Sequence, residues 1–141
     1  MTAKHPCLKH LALALVLCGT LPQSVSAEPG RLPEHVTPEI VRMIERGAQY
    51  LTRTQNPDGS WNNQGGYGRY PTAMTALAGT GLLATGSTPT RGPYAKSISK
   101  ATDFLLRTGQ RSGLFATAAE QGRSLHGHGF TLLFLAETYG M

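Results

Sequence analysis

The residues best able to do chemistry are two histidines. His126 and His128 stand two residues apart among glycines, and two imidazoles could share a metal ion with Glu120 or Glu137 as a third ligand. The same spacing, placed before a helix, equally describes a loop and first helical turn whose imidazoles bond backbone or solvent. The second reading is the commoner one, and no metal or other cofactor is expected. Gln64-Gly-Gly-Tyr-Gly-Arg69-Tyr70 has the glycines of a phosphate cradle and an arginine for charge, but lacks the Lys-Ser/Thr of a P-loop and follows no strand. It reads as an inter-helix loop. Trp61, Tyr67 and Tyr70 around it could line a groove for a carbohydrate or lipid.

Other chemistries lack their residues. The two cysteines, Cys7 and Cys18, both fall before residue 27. That stretch reads as a secretory signal peptide over residues 1–27. Lys4 and Lys9 form its positive end, Leu11–Leu17 its apolar run and Val25-Ser26-Ala27 its cleavage site. The apolar run is shorter than the ~20 residues that span a bilayer, so no transmembrane anchor is expected. Cleavage leaves a mature chain starting at Glu28, without disulfides or thiolate nucleophiles, exported to the periplasm or beyond. The formal charge of +5 falls to about +3, eleven Lys/Arg against eight Asp/Glu. The basic residues are scattered, which argues against nucleic acid as a partner.

Helices must position whatever site exists, and an all-α fold is expected. Residues 28–36, with Pro29, Gly30 and Pro33, read as a linker to a fold over residues 37–141. Thr37 as N-cap, Pro38 and Glu39 open the first helix. Ile40, Ile44, Ala48 and Leu51 give it one apolar stripe, with Arg42, Glu45, Arg46 and Arg53 largely off it. Asn56-Pro57-Asp58-Gly59 ends it. The next helix, after Pro71, runs Ala73 to Leu83 with no charge on any face and many small residues. Tyr94, Ile98, Ala101 and Leu105 form a second stripe, stopped at Gly109–Gly113. A fourth helix, roughly Phe130 to Tyr139, is again nearly uncharged.

The order is wet, dry, wet, dry, and it repeats in detail. Tyr50-Leu-Thr-Arg53-Thr54 aligns with Phe104-Leu-Leu-Arg107-Thr108, 54 residues on, and Thr75-Ala-Leu with Thr131-Leu-Leu, 56 residues on. Such a period marks helical-hairpin repeats. The alternation implies an apolar inner layer covered by amphipathic outer helices; a four-helix bundle is the simpler alternative.

At the end of the first outer helix, Gln55-Asn-Pro-Asp-Gly59-Ser-Trp61 resembles the QW motif of the prenyltransferase/squalene-oxidase repeat found in terpenoid cyclases. Gln110-Arg-Ser-Gly113-Leu-Phe115 is a degenerate second copy, one residue shorter and with Phe in place of Trp. The resemblance covers roughly residue 40 to the C-terminus. It implies helical hairpins of an incomplete α/α-toroid, about two of some six, in which Gln and Trp stack and tie one hairpin to the next. It also implies what is missing. Squalene-type cyclases use an Asp-rich acid motif, and the mature chain has only Asp58 and Asp103. The zinc site of protein prenyltransferases and the thioester of related toroid proteins both need a cysteine.

Three functions follow as expectations. The first is an exported, noncatalytic repeat protein for binding or scaffolding. The second is the N-terminal piece of a squalene/terpenoid cyclase-like enzyme whose active residues lie on further hairpins. The third is a toroid polysaccharide lyase, which Gln55–Asn63 also resembles, though the few scattered acids give its calcium little to bind. Partners left open are an apolar ligand and a second copy of the chain. Two outer helices cover only part of two dry ones, so some combination of Leu132, Leu133, Phe134 and Leu135 is expected to leave an apolar flank in water.

Overall fold

The structure is a computed structural model, and it describes residues 33, 35–62 and 69–141. The signal-peptide reading, most of the linker and the Gln64–Gly68 stretch lie outside these residues. Four α-helices follow one another: α1 Pro38–Thr54, α2 Pro71–Leu83, α3 Ala95–Arg107 and α4 Ser124–Tyr139. A short 3₁₀ helix, Ala118–Arg123, leads into α4. The described residues contain no strand, only an isolated bridge between Gly109 and Phe115. The fold class is all-α. No described helix is long and apolar enough to cross a membrane.

Helix α1 starts where its residues require. Thr37 Oγ1 accepts from Ile40 N at 3.3 Å, Pro38 takes the first turn, and Glu39 faces the positive end of the helix dipole. Helix α2 also opens on proline, Pro71. The dry character of α2 has a direct structural cause: it is the central element, packing against α1, α3 and α4. Thr72, Ala73, Thr75, Ala76, Ala78, Gly79, Leu82 and Leu83 are all buried. The core joins these residues to Ile98, Ala101 and Leu105 of α3, Ala48 of α1, Trp61 and Phe134 of α4.

Small residues set the spacing of α2 and α4. A Cβ added at Gly79 would lie 2.5 Å from the ring of Phe134, the largest fully buried side chain. A Cβ at Gly127 would collide with Thr72 Oγ1. Both glycines sit inside helices, where each is disfavoured by about 1 kcal/mol against Ala. The close approach they permit lets Phe134 fill the space between the two helices, which is worth more.

Helix α4 starts six residues earlier than the sequence suggests. Gly127 and Gly129 lower the intrinsic helicity of residues 124–129, but packing of Gly127 on the start of α2 overrides that preference. Helix α4 is also less covered than a dry helix should be: Leu125, Leu132 and Leu133 are exposed, as the two-hairpin argument expects.

Candidate functional site

Three places bear on function: the turn after α1, the turn after α3, and a groove at the N-terminal ends of α2 and α4.

In the first turn, Gly59 takes φ +93°, a conformation that side chains rarely adopt. It lies so close to α3 that an added Cβ would collide with the Lys100 carbonyl. Asn56 N donates to Ser60 O at 2.9 Å and Gly59 N to Asn56 O at 3.0 Å, closing the turn. Asp58 Oδ1 accepts from Ser60 N and Ser60 Oγ at 3.0 and 2.8 Å, so this aspartate is committed to the turn. Gln55 Nε2 donates to Gly59 O at 3.0 Å and to Ser97 O of α3 at 2.9 Å. Arg107 Nη2 of α3 donates to Asp58 O at 2.9 Å. Trp61 is buried; its indole Nε1 donates to Leu51 O at 2.9 Å and its backbone N to Thr75 Oγ1 at 2.9 Å. One turn thereby joins α1, α2 and α3. Gln55 uses its amide donor on a turn carbonyl and a carbonyl of α3, and Trp61 its indole donor on a carbonyl in the last turn of α1. This is structural work.

The second turn repeats the first in backbone form. Gln110 N donates to Leu114 O at 2.9 Å, Gly113 N to Gln110 O at 2.9 Å, and Gly113 has φ +85°. These bonds superpose Gln110 on Asn56, Gly113 on Gly59 and Phe115 on Trp61. The two turns are therefore equal in length, not one residue different, and Gly109 stands where Gln55 stands in the first. Gln110 Nε2 reaches only Ala116 O, at 3.4 Å, within its own turn. Here the aromatic is anchored by histidine: Phe115 N donates to His128 Nδ1 at 3.2 Å, and the two rings stack with centroids 5.9 Å apart.

That bond also bears on the histidine pair. His126 and His128 lie in α4, where residues two apart point to opposite sides. His128 turns to Phe115, and His126 lines the groove. Glu137 lies eleven residues further along the helix, ~16 Å at 1.5 Å per residue. Glu120, the other third ligand considered, is buried, and both its oxygens are occupied. Oε1 accepts from Thr72 N at 3.0 Å and Thr72 Oγ1 at 2.7 Å; Oε2 accepts from Thr117 N at 3.2 Å and Thr117 Oγ1 at 2.7 Å. Among the described residues no group of three or more His, Cys, Asp or Glu could hold a metal ion. Glu120 was legible in sequence only as the fourth residue of Thr117-Ala-Ala-Glu120, a capping-box pattern. Its bonds to Thr72, 48 residues away, have no local signal.

The groove has a volume of about 560 Å³ and is walled by Ala73, Met74, Leu125 and Phe130, with Tyr70, Arg123 and His126 beside them. Arg123 Nη1 donates to Tyr70 Oη at 3.2 Å, which raises the guanidinium pKa further above its ordinary value. Of the aromatics singled out in sequence, Tyr70 lines this groove, Trp61 is buried in the core, and Tyr67 lies outside the described residues.

A terpenoid cyclase-like relationship is the class that sequence comparison supports. The chain is 34% identical over 104 residues to alpha-onocerin synthase LCD of Lycopodium clavatum, which covers 73% of this chain and 13% of the synthase. It is 34% identical over 76 residues to lanosterol synthase of Homo sapiens, 54% of this chain and 10% of that protein. The chain thus spans about an eighth or less of the length of these relatives. No family model matches the chain. No solved structure matches it.

Proposed function

We propose that this chain is an exported, noncatalytic repeat protein of terpenoid-cyclase type, two hairpins of an α/α-toroid, whose groove at the starts of α2 and α4 holds an apolar ligand. The lining of the groove carries the reading. Ala73, Met74, Leu125 and Phe130 supply apolar walls, and no carboxylate stands among the described lining residues. Starting a polyene cyclisation by protonation needs an acid at the substrate. Asp58 is bonded within its turn and Asp103 is exposed on α3, away from the groove lining. The turn at Gln55, Gly59 and Trp61 ties neighbouring helices as a QW motif would, which supports the repeat reading.

Incubation of the purified chain with squalene tests both parts. Retention of squalene without cyclised product is the expected result. Leu125 is 78% exposed, so Leu125→Arg leaves the core intact and is expected to weaken retention about tenfold by removing apolar wall. Cyclised product would overturn the noncatalytic role. Export is checked by the intact mass of secreted protein, expected to start at Glu28; a mature species retaining Cys18 contradicts it.

A second reading is favoured by the great length of the relatives: the hairpins belong to a cyclase-like enzyme whose reaction runs on other segments. Contiguous coding sequence with more Gln–Trp turns and an Asp-rich motif would establish it.

A further inference from the structure

We propose that the chain associates head to tail with a second copy of itself, α1 of one copy seating on the open face of α4 in the next, as α3 seats on α2 within one chain. The proposal rests on the repeat geometry and not on the ligand of the groove.

Outer helix α3 packs on the inner helix that precedes it, α2, and α1 makes a smaller contact with the inner helix that follows it, also α2. Helix α1 has no described inner helix before it, and α4 no described outer helix after it. Exposure at repeat-equivalent positions shows both gaps. Ile98 of α3 is 0% exposed, while Ile44, 54 residues earlier on α1, is 54% exposed. Ala76 of α2 is 0% exposed, while Leu132, 56 residues later on α4, is 48% exposed. Leu83 is 3% exposed and its counterpart Tyr139 is 95% exposed. The open face of α4 forms a groove of about 530 Å³ with Leu106 of α3, walled by Leu132, Leu135, Ala136 and Tyr139. Ile40, Ile44 and Met43 supply exposed apolar side chains on α1 to fill such a groove.

The turns carry a second, independent match. Gly59 abuts the Lys100 carbonyl of α3, whereas Gly113, its equivalent, has nothing within 4 Å of an added Cβ. The position equivalent to Lys100 on α1 is Arg46. Arg107 donates to Asp58 O across the α3 contact, and Arg53, its equivalent on α1, is exposed. In the assembled pair Arg53 of the second copy donates to the Ser112 carbonyl of the first. Helix α1 carries the equivalents of the residues that α3 uses in both places, Ile44 for Ile98 at the inner helix and Arg53 for Arg107 at the turn. The contact uses different surfaces on the two copies, so it propagates to a closed ring or an open chain according to the rotation it imposes.

Light scattering on the purified chain over a range of concentrations is the test. The expected result is a mass that rises above the monomer with concentration. Ile44→Asp on α1 and Leu132→Asp on α4 each place a charge in the contact and are expected to weaken association about tenfold or more. Mixed together, the two variants still offer one intact α4 face and one intact α1, so they form a one-to-one dimer that grows no further. Helicity by circular dichroism checks each variant, and Leu106→Asp, on the exposed wall of the same groove, replaces Leu132→Asp if that variant loses helix. A wild-type mass that stays monomeric overturns the proposal. So does association of Ile44→Asp equal to wild type, or a mixture of folded variants that stays monomeric.

Discussion

Glu120→Ala is expected to lower unfolding stability by about 3–5 kcal/mol, the sum of several lost hydrogen bonds to one buried carboxyl group, discounted for their shared partner. The side chain is 2% exposed and accepts four hydrogen bonds, two from Thr72 and two from Thr117. Thr72 lies in the first turn of α2 and Thr117 caps the 3₁₀ helix, so one carboxylate closes two helix starts. Alanine would leave the Thr72 and Thr117 amides and both hydroxyls without that acceptor. Helix starts hold the unpaired N–H groups of a helix, so the loss falls where the backbone is most in need. Glu120→Gln keeps one acceptor oxygen and turns an N–H toward a donor, and about half the loss is expected from it. Urea denaturation followed by circular dichroism measures both. A midpoint unmoved in Glu120→Ala would show that the junction between α2 and the 3₁₀ helix is held by packing alone.

Trp61→Ala is expected to cost a similar amount, about 3–5 kcal/mol, by a different route. The indole is 5% exposed and belongs to the core with Ala76, Leu82 and Ile98. Removing it opens a cavity and leaves Leu51 O, near the end of α1, without its indole donor. The backbone bond from residue 61 to Thr75 survives, since it does not use the side chain. The effect should spread to α3, because the turn that carries Trp61 also holds Ser97 and Arg107. In a domain whose total stability is of order 5–15 kcal/mol, either substitution takes much of the reserve. A melting temperature shifted by less than about 3 °C, far below what such a loss implies for a domain of this size, would show that the indole contributes little.

These two residues differ in how visible they are in the chain. Trp61 is the sole tryptophan and stands at a motif spacing from Gln55 and Gly59. Glu120 shows only a local capping pattern, because half of its partners are 48 residues away. The histidines are legible in part. A bond from an imidazole to backbone is the commoner reading of their spacing, and His128 makes one with Phe115, but that the partner is Phe115 and that His126 lines the groove have no local signal. The second turn misleads through composition: Gln110 lies beside the position of Gln55, and only the backbone bonds reveal that Gly109 occupies it.

The sequence by itself determined the number and order of the helices, the N-cap at Thr37, the uncharged character of α2 and the 54-residue register of the repeat. All of these are read over short windows, from side-chain period and turn chemistry. Tertiary structure alone decided that α4 begins at Ser124 despite its glycines, that Gly79 receives Phe134, and that Glu120 closes two helix starts. The physical reason is common to all three. Each depends on what another segment, distant in the chain, brings to within a few ångströms, and an amino-acid window holds no record of its neighbour across the core.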